Sequence, residues 1–189
     1  PPAREPRVRP SDTHGDASDA PPYAFMSAGY VLDSATLPKL GSGLGIDVGY
    51  RLNHVSFAAE GWWLGARDTR LEAKPSEGAG VGAFGLGARG CWELLEGSAL
   101  DLGPCAGAGV AWLRASGFGA TTPADASARL FRLDFSARAQ LRIWRIAFFA
   151  EAGAALPLTR PEFVIENAGT VEHVAPASFI GKIGGQVHF

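Results

Sequence analysis

The chain has 189 residues and a formal net charge of −2. That length gives room for one domain and a tail, and the near-neutral balance points to neither a nucleic-acid partner nor a basic membrane-surface patch. No run approaches 18 consecutive apolar residues, which excludes a transmembrane helix. The start has no initiator Met and no signal peptide, as expected of a mature or trimmed form of an exported protein. Arginine outnumbers lysine by 14 to 3, and glycine reaches 25, a composition typical of a GC-rich bacterial genome.

Residues 1–22 hold six of the 13 prolines and no aromatic residue. Such a segment cannot bury enough apolar surface to offset its ordering entropy. It is expected to be a disordered tail. It reads equally as a semi-rigid periplasmic linker to an upstream domain or as a terminus of no consequence.

From Tyr23 to Phe189 the chain alternates with period two, the mark of strands whose successive side chains face opposite ways. Strand 1, about 23–32, sets Met26, Tyr30 and Leu32 against Ser27 and Gly29. Strand 2, about 43–52, sets Leu44, Ile46, Val48 and Tyr50 against Gly45, Asp47, Gly49 and Arg51. Strand 3, about 55–66, sets Val55, Phe57, Ala59 and Trp63 against Ser56, Ala58 and Glu60. Strand 4, about 81–94, sets Phe84, Leu86, Ala88, Trp92 and Leu94 against Gly85, Gly87, Arg89 and Cys91. Strand 5, about 99–114, sets Leu100, Leu102, Ala106, Ala108, Val110 and Trp112 against Asp101, Gly103, Cys105, Gly107 and Gly109. Strand 6, about 130–143, is the clearest. Phe131, Leu133, Phe135, Ala137, Ala139, Leu141 and Ile143 oppose Arg132, Asp134, Ser136, Arg138, Gln140 and Arg142. Strand 7, about 146–158, sets Ile146, Phe148, Ala150, Ala152 and Leu156 against Phe149, Glu151 and Gly153. Strand 8, about 177–189, sets Phe179, Ile183, Val187 and Phe189 against Ser178, Lys182, Gln186 and His188.

Short turns near Asn53, Gly97 and Trp144 alternate with longer loops near 33–41, 67–80, 115–128 and 159–175. That is the layout of an up-and-down barrel crossing an outer membrane. Period two does not itself say which face meets solvent. An eight-stranded barrel is only wide enough to be filled by its own side chains, and the bulky apolar set is too large to fit inside. The polar face is rich in Gly, Ala and Ser, as a crowded lumen requires. The apolar face carries no charge across any crossing segment, where one would cost about 2–4 kcal/mol in lipid. The apolar face therefore reads as outward. Trp62, Trp63, Trp112 and Phe131 fall near the long-loop ends, and Trp92, Trp144, Phe148 and Phe189 near the short-turn ends. They read as two interfacial aromatic girdles.

The ending FIGKIGGQVHF, with Ile183, Val187 and Phe189 on one face, is similar to the terminal-strand signature of bacterial outer-membrane barrels. Gly185 departs from it, standing where an aromatic is common. The whole of 23–189 resembles the small eight-stranded OmpA/OmpX-type class. The resemblance implies an all-β antiparallel transmembrane barrel. Its turns would be short and periplasmic, its four longer loops extracellular, and its N- and C-termini periplasmic. It implies the barrel-assembly machinery and outer-membrane lipid as partners, and it carries over no catalytic residue and no cofactor.

Cys91 and Cys105 both lie on the inward face of neighbouring strands. If Leu94 pairs with Leu102, the two cysteines fall opposite each other, close enough for a disulfide, as expected in an oxidising compartment. Two free thiols and a metal pair are the other readings. The lumen charges are Asp47, Arg51, Glu60, Arg89, Asp101, Arg132, Asp134, Arg138, Arg142, Glu151 and Lys182. They are nearly balanced in sign and read either as a polar conduit or as an ion-pair network that plugs the lumen, because buried charges must be paired. His14, His54, His173 and His188 show no Ser or acid partner by spacing, and no HExxH, GxSxG, phosphate loop or CxxC is present. The expected function is a non-enzymatic outer-membrane anchor or scaffold. The alternatives are surface binding or adhesion through the loops, a narrow pore, and a lipid-modifying enzyme. The loop charges Arg67, Asp68, Arg70, Glu72, Lys74 and Glu77 fit the surface-binding reading and read equally as a solvated loop; a periplasmic or surface protein would be the partner.

Overall fold

The computed structural model describes residues 22–34, 36–37, 40–71, 74–96, 99–119, 125–159, 163–165, 169–172 and 176–189. The first 21 residues of the expected tail, His14 among them, lie outside these, as do Glu72, Gly97 and His173. The alternating segments form β1 (Tyr23–Asp33), β2 (Gly41–Leu52), β3 (Val55–Leu71), β4 (Lys74–Trp92), β5 (Leu100–Phe118), β6 (Asp125–Ile143), β7 (Ile146–Pro157) and β8 (Ser178–His188). Each pairs antiparallel with its sequence neighbours. β8 returns to β1, from Phe25 opposite His188 to Asp33 opposite Ile180, and closes the sheet. The result is an eight-stranded up-and-down barrel.

The registers fix its stagger. Asp101 on β5 lies opposite Gln140, and Gln140 opposite Phe149. The row continues through Gly184, Gly29, Gly45, Trp62 and Gly85 to Ala111, back on β5. The circuit thus returns ten residues along the strand from its start, from 101 to 111. With eight strands, that stagger tilts them by about 40° and makes the barrel about 16 Å across between backbones.

Two short connections are two-residue turns, Asn53-His54 and Trp144-Arg145. Each opens on a left-handed residue, Asn53 at φ 51° and Trp144 at φ 58°. Asn adopts this region with little strain, whereas a bulky indole does so at a cost.

Two expected loops are largely strand. Residues 67–71 and 74–80 extend β3 and β4, and 115–118 and 125–128 extend β5 and β6. The alternation fades there because a strand pair continued past an apolar band is held by backbone bonds alone. A short strand, Leu95–Glu96, pairs with Leu102 and Asp101. A two-stranded ribbon, Phe163–Ile165 with Gly169–Glu172, stands in the β7–β8 connection.

Candidate functional site

All eleven lumen charges named from the sequence face inward, and the stagger decides which of them meet. At the short-turn end Arg51 is buried against Glu93 and lies 3.5 Å from Asp101. It also donates to the Tyr23 hydroxyl at 3.1 Å and to the Asn53 carbonyl at 2.8 Å. Arg142 pairs with the same Asp101. His188 stacks on Tyr23, ring centres 4.6 Å apart, and its Nε2 accepts from the Gln186 amide at 2.8 Å.

The middle of the lumen holds a chain of alternating charge. Asp47 accepts from Lys182 at 2.5 Å, from Ser27 at 2.5 Å and from Arg89 at 3.2 Å. Arg89 donates to Glu151 at 2.5 Å, with Glu60 at 4.0 Å on its flank. Glu151 also accepts from Ser136 at 2.7 Å and lies 3.8 Å from Arg138. Arg138 lies over the Phe149 ring at 4.1 Å and donates to Gln186 at 2.7 Å.

Higher up, Arg132 donates to Asp33 at 2.9 Å and lies 3.2 Å from Asp134, in ionic contact but misaligned for a hydrogen bond. Asp33 also fastens the first turn of the β1–β2 loop, accepting from the Thr36 amide and hydroxyl at 2.8 and 2.6 Å. That turn places Leu37 over the lumen. There it joins Trp62, Leu64, Val81, Leu113 and Leu130 in a buried apolar cluster.

This cluster corrects two expectations. The inward face is not uniformly polar. Leu64, Leu113 and Leu130 point into the barrel and are 0, 1 and 2 % exposed, because the strands there rise past the charged layers and need a dry closure. Trp62 is not part of a girdle. It is 8 % exposed inside the lumen, with the Arg132 guanidinium 4.4 Å from its ring centre. Adjacent strand residues face opposite ways, so Trp62 and Trp63 cannot both face out. Gly85 makes the room: a Cβ there would stand 2.2 Å from the Trp62 ring. Two small internal cavities appear among the described residues, about 20 Å³ beside Arg51 and Asp101 and about 40 Å³ beside Arg89 and Arg132. Each has room for a water or two.

The outer wall is apolar and uncharged at every outward position between the short-turn rim and Trp63, Phe84 and Trp112. Trp63 lies opposite Phe84, and Phe84 opposite Trp112, in one lateral row. Trp92 and Trp144 are exposed at the short-turn end, Trp144 by 83 %. Phe84 and Trp92 are eight residues apart on β4. At the barrel's tilt this is about 20 Å along its axis, near the height of a bilayer's apolar band. Ile183, Val187 and Phe189 are exposed on the outer face of β8.

Cys91 and Cys105 form a disulfide across directly opposed positions of β4 and β5, Cα atoms 4.0 Å apart. The premise differs from the outcome in one detail. Past Cys91 the pairing slips by one residue, so Leu95 rather than Leu94 lies opposite Leu102. Asp33 and Glu93 were missed as lumen acids because each sits at a strand end, where alternation gives no direction.

No protein-family model and no curated protein sequence matches the chain. Solved structures do. Neisserial surface protein A superposes with a TM-score of 0.58 at 16% identity, covering 89% of this chain and 97% of that one. A major outer membrane protein of Thermus thermophilus gives 0.64 at 8% identity over 89% and 99%. Ail, the attachment invasion locus protein of Yersinia pestis, solved with the heparin analogue sucrose octasulfate, gives 0.53 at 11% identity over 89% and 97%. These identities speak to architecture alone: the chain has the fold of a small eight-stranded outer-membrane β-barrel.

Proposed function

We propose that this barrel resides in the bacterial outer membrane as a closed, non-enzymatic anchor. Its long loops and strand extensions face the cell exterior and its termini face the periplasm. The observation that carries this reading is the pairing of an uncharged apolar outer wall with a lumen filled by matched ions and capped by Leu37, Trp62 and their neighbours. A wall of this kind is stable only against lipid, and a filled lumen leaves the barrel nothing to transport. Outer-membrane lipid is the first partner, and residues 1–22 serve as a periplasmic tether. The exposed Ile183, Val187 and Phe189 are the feature the assembly machinery reads.

Surface binding is the second reading, and one observation favours it. β5 continues six residues past Trp112, and β3, β4 and β6 extend beside it. Among the described residues these four neighbouring strands rise together, by about 15 Å, and present a sheet to the outside.

The anchor reading is tested by reconstitution. Purified chain should require detergent, insert into phospholipid vesicles, and migrate differently on gels when boiled and unboiled. A monodisperse monomer without detergent would refute it.

A further inference from the structure

Arg138 stands apart from the other lumen cations. Among the described residues, Arg51, Arg89, Arg132, Arg142 and Lys182 each meet a carboxylate at 2.9 Å or closer. The nearest carboxylate to Arg138 is Glu151 at 3.8 Å, and Arg89 already holds the same oxygen at 2.5 Å. The groups that Arg138 does touch are neutral, the Gln186 amide oxygen and the Phe149 ring. The residue is 8 % exposed. A buried guanidinium compensated so weakly is costly, because a charge taken out of water needs a partner.

Gln140 is the next inward residue on β6. It is 6 % exposed, and its side-chain amide nitrogen is buried without an acceptor among the described residues. Arg138 and Gln140 both line the cavity of about 20 Å³. The charges on its other walls are already engaged: Arg51 is bound to Glu93 and Tyr23, and Asp101 lies between Arg51 and Arg142. An undercompensated cation and an unpartnered amide donor thus line one space, and that space is large enough for a particle about the size of a water molecule.

We propose that this cavity binds a small monovalent anion of the size of chloride, held between the Arg138 guanidinium and the Gln140 amide. The anion accepts from both donors and supplies the counter-charge that Arg138 lacks. A water molecule would accept from Gln140 but would leave the charge of Arg138 unbalanced. The volume excludes tetrahedral oxyanions such as sulfate and phosphate. Arg51 and Asp101 place the cavity at the short-turn end of the lumen, so the ion exchanges through that mouth. It completes the chain of alternating charge that runs from Lys182 through Asp47, Arg89 and Glu151 to Arg138. The inference rests on the geometry of the lumen and not on the membrane reading above.

The test uses the full chain refolded in detergent and unfolded in urea at neutral pH and fixed ionic strength, with sodium chloride exchanged stepwise for sodium gluconate. An ion that binds only the folded barrel raises the folding equilibrium constant about tenfold for each tenfold rise in its concentration, once the site is largely occupied. Bromide should replace chloride, and sulfate should not. Gln140→Glu puts a resident carboxylate beside Arg138. That variant should be as stable in gluconate as the wild type is in chloride, and it should no longer respond to chloride. Arg145→Gln, at the exposed short-turn rim, should respond as the wild type does. A wild-type chain indifferent to the exchange overturns the proposal without need of any variant. A chloride response that survives undiminished in Gln140→Glu places the ion elsewhere and overturns it as well. If Gln140→Glu does not refold, crystals of the wild-type chain grown in bromide decide the matter. An anomalous peak in contact with both the Gln140 amide nitrogen and the Arg138 guanidinium supports the site, and the lack of one there refutes it.

Discussion

Glu60 and Glu151 approach the same guanidinium from different depths, and their loss should differ accordingly. Glu151 contacts Arg89 at 2.5 Å and Arg138 at 3.8 Å and accepts from Ser136, whereas Glu60 stands 4.0 Å from Arg89 at the edge of the cluster. Removing Glu151 leaves two buried cations short of a partner, so Glu151→Ala should lower the unfolding free energy by about 3–5 kcal/mol. Glu60→Ala should cost about 1 kcal/mol, because Asp47 and Glu151 still hold Arg89. Urea midpoints in matched lipid vesicles measure both, and equal losses would contradict the layered network. Which residues face inward was legible from alternation alone, as Arg132, Asp134 and Arg138 show. Which of them meet was not, since Lys182 and Asp47 come together only through the stagger of the closed sheet.

Among the strand pairs, β4 and β5 are the ones stapled covalently. The bridge from Cys91 to Cys105 closes a span of 14 residues, which on loop-entropy grounds stabilises by about 3 kcal/mol at most. Unreduced protein should therefore weigh two hydrogens less than the reduced chain. Replacing both cysteines by serine should leave a folded barrel with a lower urea midpoint. Alkylation of both thiols in the native, unreduced chain would contradict the bridge. The sequence located this pair because both cysteines share a face and flank one turn. It did not locate the extensions of β3 to β6. Residues 67–80 and 115–128 mix glycine and charge without alternation, so nothing in their pattern separates a paired ribbon from a loop.

Taken as a whole, the barrel is closed twice over, by ions through its middle and by the apolar cluster at its loop end. Planar bilayers holding the wild-type protein should show no steady porin-like current, because a path about 16 Å across between backbones is filled by its own side chains. Stable large-conductance steps would promote the pore reading. Packing volume decided the orientation of the wall from sequence. The apolar cap escaped because Leu37 reaches the lumen from a loop and Leu130 stands at the margin of the strand pattern.

The seam between β1 and β8 sets an order of events in time. It joins Phe25 to His188 and Asp33 to Ile180, so the last strand must arrive before the ring exists. Contacts this distant along the chain form slowly. The disulfide spans a local hairpin and can form while the sheet is still open. The link from Lys182 to Asp47 crosses the seam and cannot. Until closure, Asp47 lacks its lysine and the edges of β1 and β8 are unpaired, which makes the nascent barrel dependent on whatever shields those edges until the ring is complete.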